Sequence, residues 1–106
     1  MRLDRIEREE SVLVDVISCV RQPDLDDTSM MCQTIDVSEE GMQFSSELDL
    51  PVNTRVGLRL DLETSLYRLE GEVRWAREDG QYCVGLLLDT KSPDFVSWTR
   101  MFQLDS

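Results

Sequence analysis

Two groups of side chains in this sequence have types and spacings that could hold a polar ligand. Asp36-Val37-Ser38-Glu39-Glu40-Gly41 sets a carboxylate and a hydroxyl at alternate positions, with glycine three residues beyond the hydroxyl. An aspartate accepts from paired N–H donors, and a serine hydroxyl both donates and accepts. The same residues also build turns, because short polar side chains bond to the nearby backbone and Gly41 permits a positive φ. Upstream, Arg2, Arg5 and Arg8 recur at every third position among Asp4, Glu7, Glu9 and Glu10. Arginines so spaced share one side of a helical turn, whereas the interleaved acids suit a solvated terminus with local ion pairs.

The totals narrow what these groups can serve. A chain of 106 residues, 41% of them hydrophobic, fits one domain with one core. Against 11 lysines and arginines stand 22 aspartates and glutamates, a formal net charge of −11. That excess disfavours non-specific contact with nucleic acid polymers or anionic membrane surfaces, so an anionic ligand needs a local exception. Cys19, Cys32 and Cys83 are widely spaced and no secretory or membrane-spanning run is visible, which reads as a cytoplasmic chain whose cysteines are small apolar residues. With no histidine and no Cys-x-x-Cys pair, a zinc site or a histidine-based triad lacks its groups. Asp36, Glu39 and Glu40 carry no sign of paired carboxylates tuned apart for acid–base work, so the chain does not read as an enzyme, and it implies no cofactor.

The elements that must position these residues read mainly as strands. Val12 to Val20 is β-branched and alternating, Gln22 to Thr28 is an exposed connection, and Met30 to Ile35 returns directly into the Asp36 motif. Met42 and Phe44 alternate with polar neighbours after Gly41, so pairing resumes there. After the break at Leu50-Pro51-Val52-Asn53, Val56, Leu58, Leu60 and Leu62 alternate with Arg55, Gly57, Arg59 and Asp61. Tyr67 to Trp75 repeats the pattern, and Asp79-Gly80 turns the chain into Tyr82, Val84, Leu86 and Leu88. The period then changes. Ser92 can cap a helix, Pro93 suits its first turn, and Phe95, Trp98 and Phe102 make an apolar stripe to pack on the sheet or close a barrel end.

Arginines before the first strand, Asp36 to Gly41 after the second, Gly71-Glu72-Val73-Arg74-Trp75 in the fifth and Val84-Gly85-Leu86 in the sixth together resemble a PilZ domain over nearly the whole chain. The resemblance implies an all-β fold with a C-terminal helix, a six-stranded antiparallel barrel. It divides the chain into a flexible arginine-containing arm over residues 1–10 and a barrel domain over residues 11–106, with the helix from about residue 92. Many members of that family bind cyclic di-GMP, a bacterial second messenger. An Arg-x-x-x-Arg arm clamps its phosphates and guanines, and the Asp-x-Ser-x-x-Gly turn holds its other side.

Carried over residue by residue, the resemblance assigns Asp36 to orienting guanine or an arm arginine, Ser38 to a guanine or phosphate bond, and Gly41 to the turn. Trp75 either stacks on a guanine or serves as a core or barrel-end aromatic, since it shares the apolar parity of Leu69 and Val73. Arg77 could add charge at the same rim. The arm departs from the family pattern: positions 6, 9 and 12 hold Ile6, Glu9 and Val12, so no arginine pair stands four apart. Arg5 with Arg8 is the expected clamp, with Arg2 secondary. The function implied is a small stand-alone cyclic di-GMP receptor or adaptor that signals through an unidentified protein partner, without membrane insertion. The altered arginine spacing and acidic arm favour an alternative, an adaptor of the same fold that works by protein contact without nucleotide.

Overall fold

The clean alternation of residues 55–62 and 65–72 becomes the backbone of the fold. A computed structural model describes residues 5–6, 10–62 and 65–103. In it, β5 (Arg55–Leu62) and β6 (Ser65–Asp79) pair antiparallel in one unbroken register from Leu62↔Ser65 to Arg55↔Glu72. Val56, Leu58 and Leu60 of β5 are buried. Side chains on a strand alternate between faces, so one register puts every second residue into the core. On the other side of β5, β2 (Ser11–Ser18) buries Val12, Val14 and Val16 in the same way.

β3 (Ser29–Ser38), β4 (Gly41–Ser46) and β7 (Gln81–Leu88) complete the sheet, in the order β3-β2-β5-β6-β7-β4, with β4 pairing back onto β3. The result is a closed six-stranded antiparallel barrel with a C-terminal helix, as the resemblance implied. Closure removes the open edges that a sheet of this size would otherwise present. A further two-residue strand, β1 (Arg5–Ile6), lies on the end of β3, pairing Arg5 with Ser38 and Ile6 with Val37. The predicted turn at Asp79-Gly80 is present, and Gly80 takes the positive φ of 77° that glycine accommodates.

The helix α1 (Phe95–Gln103) starts later than its sequence suggests. Ser92 does not cap it. Its hydroxyl instead accepts from the Glu70 N–H at 2.8 Å and contacts the Glu70 and Asp89 carbonyls, tying the chain to β6. Asp94 then supplies the first helical acceptor, its carbonyl 2.9 Å from the Trp98 N–H, while its carboxylate takes the Arg68 N–H and Nε. Backbone donors of β6 thus outcompete the helix for both polar side chains, and Pro93 falls in the turn before it. The apolar stripe packs against the sheet, one of the two roles expected of it. Trp98 and Phe102 are fully buried, with edge-to-face ring contacts from Trp98 to Tyr67 and to Phe102 at 5.5 and 5.3 Å.

The cysteines are free and buried, Cys19 and Cys32 within the core cluster. Burial, with a smaller contribution from Glu47, pushes the Cys32 thiol up to about 11.

Candidate functional site

β3 carries the Asp36 motif, and by simple alternation Asp36 would point inward. Cys32 and Thr34 are both buried, and Asp36 shares their parity. A β-bulge reverses this. The pairing steps from Thr34↔Phe44 to Asp36↔Gln43, leaving Ile35 as an extra residue that lies exposed on the surface. Beyond it Val37 is buried, and Asp36 and Ser38 are half-buried on the outer side. Taking Ile35 up as a bulge therefore keeps the carboxylate and the hydroxyl on the surface, where an unbroken register would have buried them.

The turn that follows is held on three sides. The Ser38 hydroxyl accepts from the Gly41 N–H at 3.1 Å and lies 3.3 Å from the Gly41 carbonyl, to which it donates. The Glu40 carbonyl accepts from the Leu88 N–H at 2.8 Å. From inside, the Trp98 indole N–H donates to the Ser38 carbonyl at 3.0 Å, so the buried helix is fastened to the turn itself. Gly41 plays a part different from the one expected. Among the described residues Gly80 is the glycine with positive φ, and Gly41 is not in that region. A Cβ at Gly41 would sit 2.9 Å from the Leu86 carbonyl oxygen, so glycine is required for the close approach of β4 to β7.

A second bulge turns Trp75 outward. In β6 the pairing steps from Val73↔Leu86 to Trp75↔Gly85, so Trp75 loses the inward parity of Leu69 and Val73 and is 37% exposed. It is a surface aromatic, and the core reading is set aside. Its indole lies across Gly85: a Cβ there would meet ring atoms at 2.2 to 2.6 Å. The Arg77 guanidinium sits 5.4 Å from the Trp75 ring centroid, a cation–π contact. The seating role of Gly85 was not apparent from its position in the sequence, although an isolated glycine inside a strand is the usual mark of a close approach.

The two bulges bring these groups into one row. Asp36 pairs with Gln43, Gln43 with Gly85, and Gly85 with Trp75, across β3, β4, β7 and β6. Directly paired residues share a face, so the row runs across the outside of the barrel from the carboxylate to the indole. With neighbouring strands roughly 4.8 Å apart, its ends are separated by about 14 Å along the sheet. β1 adds Arg5 opposite Ser38 at the carboxylate end. Asp36, Ser38, Gly41, Trp75 and Arg77 are thus arrayed on one side of the molecule, with the Arg5 backbone beside them, whereas Arg2 and Arg8 lie outside the described residues. The described residues hold no group of three or more histidine, cysteine or acidic side chains placed to bind a metal, and no helix long and apolar enough to cross a membrane.

Comparison with known proteins settles the family. The PilZ domain profile matches residues 5–94. The chain belongs to the PilZ domain family. Solved structures of the same fold include the inhibitor of motility MotI/DgrA of Bacillus subtilis, with a TM-score of 0.70, 13% identity, and coverage of 100% of this chain and 52% of that one. Apo MrkH of K. pneumonia gives 0.66 at 13% identity, covering 99% of this chain and 49% of that one. The PilZ domain of YcgR from Escherichia coli, solved with c-di-GMP, gives 0.62 at 13% identity, covering 97% and 83%. The chain spans about half the length of the first two. Among curated proteins, none matches. The PilZ match begins at Arg5, the residue that β1 pairs with the Asp36 turn.

Proposed function

We propose that this PilZ domain is a cyclic di-GMP receptor, seated on the Asp36–Trp75 face and closed by the arginine arm. The observation that carries this reading is the pair of bulges, beyond which Asp36, Ser38 and Trp75 face outward on one side of the barrel against the alternation of their strands. Arg5 and Arg8 form the phosphate and guanine clamp, with Arg2 secondary. Guanidinium forks bind phosphate oxygens and the N7/O6 edge of guanine bidentately. Asp36 orients a guanine or an arm arginine, Gly41 lets β4 lie close against β7 beside the turn, and Trp75 with Arg77 offers a stacking platform. The Ser38 hydroxyl already directs its proton to the Gly41 carbonyl, so toward a ligand it acts as an acceptor for a guanine or guanidinium N–H. A charge-assisted bond contributes about 1.5–3 kcal/mol, so a few of them with stacking reach the roughly −8 kcal/mol of a micromolar complex. Ligand binding then reshapes a surface read by another protein in the cytoplasm.

Isothermal titration of the full chain with cyclic di-GMP tests the proposal. Micromolar binding is expected, abolished by Arg8→Ala or Asp36→Ala in variants with unchanged thermal unfolding. Absence of both heat and thermal shift at high ligand concentration would refute it. That outcome would favour the adaptor that works by protein contact alone, the reading supported by arginines at positions 2, 5 and 8 with Glu9 and Glu10 beside them. For that adaptor, an Arg5→Ala/Arg8→Ala variant should hold its partner as tightly as the wild type.

A further inference from the structure

Gln43 occupies the middle of the row, between Asp36 on β3 and Gly85 on β7. Its neighbours along β4, Met42 and Phe44, are buried, which fixes Gln43 on the outer face. The β7 side of Gln43 offers no side chain, because Gly85 has none, and the space above Gly85 is filled by the Trp75 indole. The carboxamide is therefore bordered by a carboxylate on one side and an aromatic ring on the other. Among the described residues it has no hydrogen-bond partner of its own. By contrast, Gln33, an outward-facing glutamine on β3, donates to the Ser11 hydroxyl at 3.1 Å.

Resting on the cyclic di-GMP reading above, we propose that Gln43 is the specificity-determining residue of this face, donating an amide N–H to O6 of the guanine whose N1–H and N2–H meet Asp36. The match is one of order. Along its Watson–Crick edge guanine presents two donors and then an acceptor, and the row presents an acceptor, Asp36, and then a donor, Gln43. Directly opposed side chains on antiparallel strands start about 4.5–5.5 Å apart, a spacing that lets both reach adjacent atoms of one base edge. Adenine reverses the pattern: its N1 lone pair would face the Asp36 carboxylate, and its N6 amino group would need Gln43 to present oxygen instead of N–H.

Titrations with cyclic di-GMP and its diadenosine analogue, cyclic di-AMP, read this directly. Gln43→Met removes the hydrogen bond at similar size and should weaken cyclic di-GMP about tenfold, the worth of one hydrogen bond to a base edge. Gln43→Glu replaces the donor with an acceptor facing O6. It should weaken cyclic di-GMP more than Gln43→Met does and narrow the preference over cyclic di-AMP. Gln33→Met, on the same sheet away from the row, should leave both affinities unchanged. Wild-type binding with unaltered affinity and preference in both Gln43 variants would overturn the role of Gln43 while leaving the receptor reading intact. Failure of the wild type to bind either nucleotide would overturn both. Should Gln43→Met not fold, Gln43→Asn, which withdraws the amide by one methylene, should give the same weakening, and an unchanged affinity in it would equally overturn the role.

Discussion

The β5–β6 ladder and the rim formed by β3, β4, β7 and the far part of β6 are built from the same alternating material and used in opposite ways. Along β5–β6 one register runs through eight consecutive pairs, and alternation buries Val56, Leu58 and Leu60. At the rim the register slips at Ile35 in β3 and within Val73–Trp75 in β6. Each slip leaves the core residues on both sides buried and turns a polar or aromatic side chain outward. Regular pairing here serves stability, and the bulges accompany the stretches whose outward side chains line the surface where a ligand would sit.

Deleting one residue from each region should break this comparison most visibly. Removing Gly57 from β5 shifts Leu58 and Leu60 to the solvent face, and loss of the cooperative unfolding transition is expected. Removing Ile35 takes away the bulge residue alone, leaving Thr34 buried and Asp36 outward in a now regular strand. That variant should still unfold cooperatively in urea and still bind cyclic di-GMP.

The glycines of the rim sharpen the contrast. Gly41→Ala forces a Cβ against the Leu86 carbonyl, a backbone atom, and should cost about 1–3 kcal/mol by urea denaturation. Gly85→Ala meets only the Trp75 side chain, which can swing away. It should cost less in stability yet red-shift the tryptophan emission and weaken nucleotide binding as the platform is lost.

Smaller effects should follow pH. At the edge of the ladder, a hydrogen bond from Arg55 and then the Lys91 N–H hold the Asp89 carboxyl below its ordinary value of 3.8, and the Arg68 backbone N–H chiefly does the same for Asp94. Their folded-state values lie below the unfolded ones. Their contribution to stability is therefore complete above about pH 4 and is lost as the pH falls through 3.8 and below. Urea midpoints at pH 7 and pH 3 should differ, and Asp94→Asn should shrink the difference. Smallest is the behaviour of Cys32, whose thiol is raised to about 11 and should resist iodoacetamide in the folded chain until the solution is near that pH or the chain unfolds.

Much of the fold was legible because the residues that specify it sit at positions where local pattern and tertiary role agree. Val56 to Leu62 and the Asp79-Gly80 turn read directly, as did the Phe95, Trp98, Phe102 stripe. The bulges were not legible. An extra residue such as Ile35 is marked by no residue type, and its effect appears only when the partner strand is known. Alternation misled at the end of β2 for the same reason: pairing slips between Val16 and Ser18, so Cys19 is buried and Val20 is 89% exposed, the reverse of their parity. The helix start was misread because Ser92 and Asp94 find stronger partners on β6 than in the helix. Of the candidate site, the residues of the Asp36 motif were visible from the start, whereas Gln43 and Gly85 acquire meaning only through cross-strand register.

The central claim is that the bulged rim, and not the regular ladder, receives the ligand. Amide chemical-shift mapping of the isotopically labelled chain during titration with cyclic di-GMP tests it most directly. Perturbations should concentrate at residues 36–43, 75–77 and 85, with the β5 and early β6 amides nearly still. Shifts centred instead on Arg59 and Arg68 of the ladder would contradict the account.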